Sequence, residues 1–454
     1  MKKMDVVVIG AGTAGQTVAY DLAVEGYEVV VVEKSETPGG VCSLAGCQAK
    51  KYFYELTELV AKSRHLAGKG VVAEPEVSWS QIVAAKNEFT SKIPSQTVAG
   101  LKGTGIRYLE GQAKFVNAET VQVGDEVFTP RFIVIATGAR PMALSFAGAE
   151  HLVKSDGFLE MKQIPRRMTF IGGGFVSFEF AHFAARLGAE QVTILENTDR
   201  VLGPFDADMV DQLVMAGRKD GVEVRTGISI TSISEQNGVY SVLLDSGEIH
   251  ETDLVVHGAG RIPNIDFLNL EAAGINWNRR GIEVDELMRT TNNNVYAVGD
   301  CAATPQLARV ADMEAHTAAA SIVSRETGEV SLPIDYEAVP AVLFTYPQLA
   351  MVGKTEEQLQ RDKIPYWKST ELDLSWPTYR RIGMKHAGYK ILVDNDGRIL
   401  GAHVLCDNGS GLINTLKQAV IDSVTAAELY QTNIMSPYPS RESDLIYMLE
   451  PLLD

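Results

Sequence analysis

The sequence predicts an α/β fold: two Rossmann-like, three-layer dinucleotide-binding domains and a C-terminal α+β domain. Three observations predict it. A strand, a glycine turn, a helix, a second strand and a terminal acid follow one another from Asp5 to Glu33. The same order returns from Met168 to Glu196. From Pro340 onward strands and helices alternate with no phosphate loop, as an interface domain would. At 454 residues the chain exceeds one compact core. The expected segments are 1–144 and 266–332 for the first nucleotide domain, 145–265 for the second, and 333–454 for the interface domain.

In the first unit, DVVVIG runs into Gly10-Ala-Gly12-Thr-Ala-Gly15, and the apolar run Glu28–Val32 ends at Glu33. Gly10 permits the tight turn, Gly12 lets a pyrophosphate approach the backbone, and Gly15 allows helix against sheet. Glu33 can accept a bond from a ribose hydroxyl. The competing reading, a glycine-rich turn without a ligand, leaves the two flanking strands and the acid unexplained.

The stretch PGGVCSLAGCQAKKYFY, Pro38–Tyr54, follows. Residues five apart in a regular helix have Cα atoms about 8.6 Å apart, beyond the roughly 7 Å that a disulfide spans. Cys42 and Cys47 therefore pair only across an irregular turn, for which Gly39, Gly40 and Gly46 supply freedom. A helix N-terminus there would favour a thiolate and a redox-active pair. Two buried core cysteines are the alternative. Beyond them Tyr52, Leu56, Leu59 and Val60 recur at helical spacing, as core packing.

Short strands are expected between Ile106 and Val123, and then RFIVIATGARP, in which Thr137 and Gly138 make a tight turn to which the sequence assigns no ligand. In the second unit Gly172-Gly173-Gly174-Phe-Val-Ser177 replaces the third small glycine with serine. Glu196 would bond a free ribose 2′-hydroxyl and repel a 2′-phosphate, which favours NAD(H) over NADP(H). Arg200 either softens that preference or is a solvated surface charge. HGAGRIPN, with Gly260 and Arg261, closes the unit, and NVYAVGD ends at Gly299-Asp300, where the aspartate could simply cap the next helix.

The formal charge of −17 argues against nucleic acid and anionic membrane as partners. Met1-Lys2-Lys3-Met4 leads straight into a strand, too brief for a signal-peptide core, and no transmembrane span is expected. A cytoplasmic protein is the expectation, and four cysteines in such a compartment do not build a disulfide framework. Cys301 and Cys406 read as core, and the eight histidines show no ligand spacing, so no metal site is expected. Trp376, Tyr379, Arg380 and Arg381 read as a solvated basic turn or as the lining of an acidic-substrate pocket.

Together GAGTAG with Glu33, GGVCSLAGCQAKK, ATGARP, GGGFVS, GAGRIPN, VYAVGD and LFTYPQLAMVG resemble, over nearly the whole chain, the flavin-dependent pyridine nucleotide-disulfide oxidoreductases, the family of dihydrolipoyl dehydrogenase, glutathione reductase and mercuric reductase. The resemblance implies FAD extended along Gly10, Gly12, Gly15 and Glu33, with Asp300 on its ribitol. It counts Gly40, Thr137, Gly138, Gly260, Arg261 and Gly299 in the cofactor-binding motifs. It makes Cys47 the charge-transfer thiolate and Cys42 the interchange thiol, sets Lys51 near the flavin N5 with Glu179 as its ion-pair partner, and places NAD(H) at Gly172, Gly174 and Glu196. It also implies a homodimer in which each subunit completes the other's disulfide site, acting on a small-molecule or protein-borne disulfide or dithiol.

The chain departs from that pattern near its end. In Pro437-Tyr438-Pro439-Ser440-Arg441-Glu442-Ser443, Tyr438 stands where the family's disulfide reductases carry a histidine, and Ser443 where they carry its glutamate. A phenol with a pKa near about 10 is a poor base at neutral pH, whereas an imidazole near about 6.5 is well matched. Mercuric reductases share the tyrosine but end in a further cysteine pair, which Leu452-Leu453-Asp454 does not supply. Gln48-Ala49 replaces the family's usual apolar-Pro step. The alternatives are therefore reduction of a metal ion, a quinone or another nicotinamide nucleotide by the same flavin, and a non-catalytic nucleotide-binding subunit of a complex.

Overall fold

The computed structural model describes residues 4–453. The readings made on Met1–Lys3 and on Asp454 lie outside them. The chain forms two compact units, one made of the residues up to Tyr52, Val83–Met142 and Gly260–Tyr336, the other of Phe53–Ile82, Ala143–Ala259 and the residues from Glu337 on.

The first unit is built on a five-stranded sheet ordered Val295–Ala297, Phe132–Ile135, Val6–Ile9, Val29–Glu33, Arg107–Glu110. Every pairing in it is parallel. Its central strands are continuous apolar runs because both faces are covered. Val6, Val8, Val29, Val31 and Val134 pack against helices Thr13–Val24 and Ala308–Thr327 through Val18, Leu22, Ala315 and Ile322. Val7, Ile9, Val30, Val32, Ile133 and Ile135 pack on the other face against Phe115, Val121 and Phe128 of a three-stranded antiparallel sheet. Helices, parallel sheet and antiparallel sheet make the expected three layers.

The second unit repeats this arrangement with a parallel sheet ordered Val222–Arg225, Gln191–Leu195, Arg167–Ile171, Leu254–His257, and a three-stranded antiparallel sheet, Ile230–Gln236, Val239–Leu244 and Ile249–Thr252. It also contains a five-stranded antiparallel sheet ordered Ala341–Leu343, Gln348–Gly353, Ile399–Cys406, Gly388–Val393, Trp367–Glu371. The buried Lys390 ammonium sits among Asp206 (2.9 Å), Asp208 (2.6 Å) and Glu356 (2.8 Å), so that desolvation is offset by three carboxylates.

Helix Lys51–His65 corrects one expectation. Its buried face is Phe53, Tyr54, Thr57, Val60 and Ala61, while Leu59 is half exposed. Tyr54 and Thr57 join the inner face as polar residues with partners, Tyr54 on Gln348 and Thr57 on the Phe53 carbonyl, which an apolar period does not register. Trp376 and Tyr379 belong to the C-terminal core instead of a pocket, and Arg380 and Arg381 lie exposed.

Candidate functional site

Strand Val6–Ile9 ends in a turn that leaves no room for side chains. A Cβ on Gly15 would lie 1.9 Å from the Gly10 carbonyl oxygen. Gly12 stands at the N-cap of helix Thr13–Val24 and no side chain caps it, which leaves the first-turn amides to an anion. Glu33 braces the turn: Ala11 N–H donates to its Oε2 and Ser35 N–H to its Oε1, both at 2.8 Å.

The cysteine stretch docks on this turn. Gly40 has φ +77°, and a Cβ there would lie 2.6 Å from Gly12 Cα, so two backbones meet where only glycines fit. Helix Gly40–Leu44 then stops, and the chain makes irregular turns to Lys50 before helix Lys51–His65 begins. Gly46 passes so close to the Val41 carbonyl that a Cβ would approach it to 2.8 Å. This is the irregular first turn that pairing of Cys42 and Cys47 requires. Both cysteines are half-buried free thiols. Cys42 donates its hydrogen to the Cys47 sulfur, which holds Cys47 down to about 6 against its burial, with help from the charges of Lys50 and Lys51. The same bond drives the Cys42 thiol upward, opposed by a hydrogen bond to the Thr13 hydroxyl. One proton is thus shared by the pair. The neighbouring thiol is the largest cause of the depression, and the charge of Lys50, the Cys47 backbone N–H and the charge of Lys51 add to it. Lys51 opens its helix with its amine buried.

Elsewhere in this unit Ala139–Pro141 pairs with Arg261–Pro263, and Asn264 bonds the backbone of Thr137 and Gly138, so ATGARP and GAGRIPN form one ribbon. The Arg261 guanidinium donates to the Ala139 carbonyl. Gly299 N–H donates to Glu314 at 2.6 Å, and Tyr336 OH donates to the other oxygen at 2.9 Å. Asp300 does not cap the following helix, whose N-cap is Leu307. Its carboxyl is raised by burial, opposed by Arg261. Cys301 and Cys406 are core thiols, pushed up by burial to about 11 and about 12.

In the second unit, Gly174 is an uncapped N-cap for helix Phe175–Leu187, and Glu196 repeats the bracing. Gly173 N–H donates to its Oε2 at 2.5 Å, and Thr198 N–H and Oγ1–H to its Oε1 at 2.8 and 2.7 Å. Gly172 lies so near Ala259 that a Cβ would reach its Cα at 2.5 Å. Glu179 is buried and accepts the Phe344 N–H at 3.0 Å. Tyr438 is 75% exposed, while Ser443 is buried in a reciprocal turn with Ser440.

The description "Pyridine nucleotide-disulphide oxidoreductase" fits residues 4–315, and its dimerisation domain fits residues 339–444. The chain belongs to this family. It is 33% identical over 449 residues to dihydrolipoyl dehydrogenase of Bacillus subtilis (strain 168), covering 94% of this chain and 92% of the relative. It is 30% identical over 445 residues to glutathione reductase of Burkholderia cepacia, covering 96% and 97%. Among solved structures, it is similar to the Cu(II) complex of the HOCl-induced flavoprotein disulfide reductase RclA from Escherichia coli, with a TM-score of 0.88, 27% identity, and 99% and 100% of the two chains covered. The chain is an enzyme of the pyridine nucleotide-disulfide oxidoreductases, which use FAD and a nicotinamide nucleotide.

The residues fit both groups. The glycine cradle at Gly12 and Gly40 and the partly buried Asp300 carboxyl suit FAD, and the uncapped helix behind Gly174 suits a pyrophosphate. No helix among the described residues is long and apolar enough to cross a membrane. Sequence reasoning missed Thr13, which sits in a variable position of the glycine motif, and Glu314, which lies in mid-helix with only its acidity in an alanine-rich run as a signal.

Proposed function

We propose that the enzyme is an NAD(H)-dependent disulfide oxidoreductase of the dihydrolipoyl dehydrogenase type, working through Cys42 and Cys47 as a homodimer. The proposal keeps the segments 1–144, 145–265, 266–332 and 333–454 as its domain division. The observation that carries it is the pair of hydrogen-bonded thiols, Cys42 and Cys47, on irregular turns that begin against the phosphate turn. Bound FAD supplies hydride exchange with NAD(H) and two electrons to or from sulfur. In the reducing direction, Cys42 loses its proton, attacks the substrate disulfide and forms a mixed disulfide, releasing one thiolate that takes up the proton. The Cys47 thiolate then attacks the Cys42 sulfur, expelling the second thiolate and closing the Cys42–Cys47 disulfide; with a dithiol substrate the steps reverse. Gly10, Gly12, Gly15, Glu33, Gly40, Thr137, Gly138, Gly260, Arg261, Gly299 and Asp300 would hold FAD, Gly172, Gly174 and Glu196 would hold NAD(H), and Lys51 with Glu179 would place a cation beside the flavin. Exposed Tyr438 is available to the site of a second subunit, where it would orient the substrate or return the proton.

The test is disulfide turnover by the holoenzyme against pH. Cys42→Ser should abolish it, and the unaltered enzyme should lose it as pH falls through about 6, where Cys47 takes up a proton and ceases to be the resolving nucleophile. In Cys42→Ala, which has no turnover to follow, the rate of Cys47 alkylation against pH should show its inflection moved upward, since the largest cause of the depression is removed. Undiminished disulfide turnover in Cys42→Ser would refute the reading.

A second reading, reduction of a metal ion, a quinone or another nicotinamide nucleotide by the same flavin, is favoured by Tyr438, a phenol where an imidazole base would serve thiol chemistry. Retained NADH-dependent activity with such an acceptor in Cys47→Ser would support it.

A further inference from the structure

Arg200 follows the second fingerprint's acid by four residues, where an arginine can accept a 2′-phosphate. The structure ties it into the same turn: the Thr198 hydroxyl that bonds Glu196 also lies 2.8 Å from the Arg200 carbonyl oxygen. Leu202 N–H donates to the Gly173 carbonyl at 2.9 Å, which carries the segment back onto the phosphate turn. The guanidinium nevertheless is already taken. Its Nη1 lies 2.7 Å from both carboxylate oxygens of Glu357, and its Nη2 donates to the Phe205 carbonyl.

Glu357 is well placed to hold it. It is the second residue of helix Glu356–Arg361, whose start is fixed by a capping box between Thr355 and Gln358. The residue before it, Glu356, is anchored by Lys390 at 2.8 Å and Lys368 at 2.7 Å. The Arg200–Glu357 pair itself is a third to a half exposed, so its contribution to folding is small. Its geometric effect is larger, because it commits to Glu357 and the Phe205 carbonyl the guanidinium that could otherwise offset a phosphate beside Glu196.

We infer that Glu357 is a specificity-determining residue: by holding Arg200, it makes the second nucleotide site select NAD(H) against NADP(H). This rests on the NAD(H) reading above and names the device behind it. Freed of Glu357, Arg200 offers a planar fork suited to a phosphate.

The experiment is calorimetric titration of NAD⁺ and of NADP⁺ into the oxidised, flavin-loaded enzyme, which measures binding without turnover. Glu357→Gln should improve NADP⁺ binding relative to NAD⁺ by about tenfold, the scale of one charge-assisted hydrogen bond. Adding Arg200→Ala to that variant should erase the gain. An unchanged ratio in Glu357→Gln with an unchanged thermal midpoint would overturn the inference, and so would a gain that survives Arg200→Ala. Glu357→Ala, read in the same way, serves should the glutamine variant fold poorly. If the unaltered enzyme binds NADP⁺ as well as NAD⁺, the parent reading fails, and with it any selectivity for Glu357 to set.

Discussion

The two glycine turns use the same brace and solve the same packing problem from opposite sides. Glu33 and Glu196 each accept a backbone amide from the glycine turn on one oxygen and the amide two residues ahead on the other. In the first unit the close approach of helix to turn is allowed by Gly15, whose absent Cβ would lie 1.9 Å from Gly10 O. In the second the helix carries Ser177, fully buried, and the missing side chain is on the facing loop instead. A Cβ on Gly258 would lie 1.9 Å from Ser177 Oγ and 3.2 Å from its Cβ. The difference teaches that the motif's third glycine is a demand for space at a contact, which either partner can meet.

The largest break in this comparison is expected at Gly15→Ala. Its new methyl meets a backbone carbonyl that cannot rotate away, so we expect a loss of more than about 3 kcal/mol, beyond ordinary overpacking, with no bound flavin. Visible absorbance of the purified protein and its thermal midpoint measure both. Gly258→Ala should cost less, about 1–3 kcal/mol, because part of the clash is with a hydroxyl that can turn. Ser177→Gly alone should cost about 0.5–1 kcal/mol as a helical glycine. The pair together should cost less than their sum by about 1 kcal/mol, since the deleted serine makes room for the added methyl. Strict additivity in denaturant titrations would show that Gly258 does not stand in for the missing glycine.

Much of this was legible in the sequence, and what was not has physical causes. The parallel strands were readable as continuous apolar runs because both faces are buried, as Val6–Ile9 illustrates. Ser177 was readable as a small residue against the sheet, but the compensating Gly258 lies 81 positions later on another strand's end, which a local motif does not reach. Strands Gln348–Gly353 and Trp367–Glu371 of the C-terminal sheet are hard to read from sequence: the first follows a proline, and the second is mostly polar and pairs along one edge only. At the site, the irregular turn between Cys42 and Cys47 followed from helix geometry. The thiol pair's asymmetry did not, because it depends on which sulfur faces Lys50 and Lys51 and which faces Thr13.

The smallest expected effect sharpens the comparison where the two braces differ. Thr198 gives Glu196 a third donor, its hydroxyl at 2.7 Å, whereas the Ser35 hydroxyl turns toward Thr37 and only its amide serves Glu33. The donors on Glu196 fix the direction of its remaining lone pairs, which in the proposed NAD(H) site would meet a ribose. Thr198→Val keeps the shape and the amide but removes that hydroxyl. At so exposed a position the loss should fall below the usual range for a charge-assisted bond, to about 0.5–1 kcal/mol, or about two- to fivefold in NAD⁺ affinity. Ser35→Ala, by the same reasoning, should leave flavin affinity within about twofold, since no bond to Glu33 is lost. Equal losses in the two variants, measured by titration of each nucleotide, would mean that the hydroxyl on the second brace adds nothing to the shared backbone design.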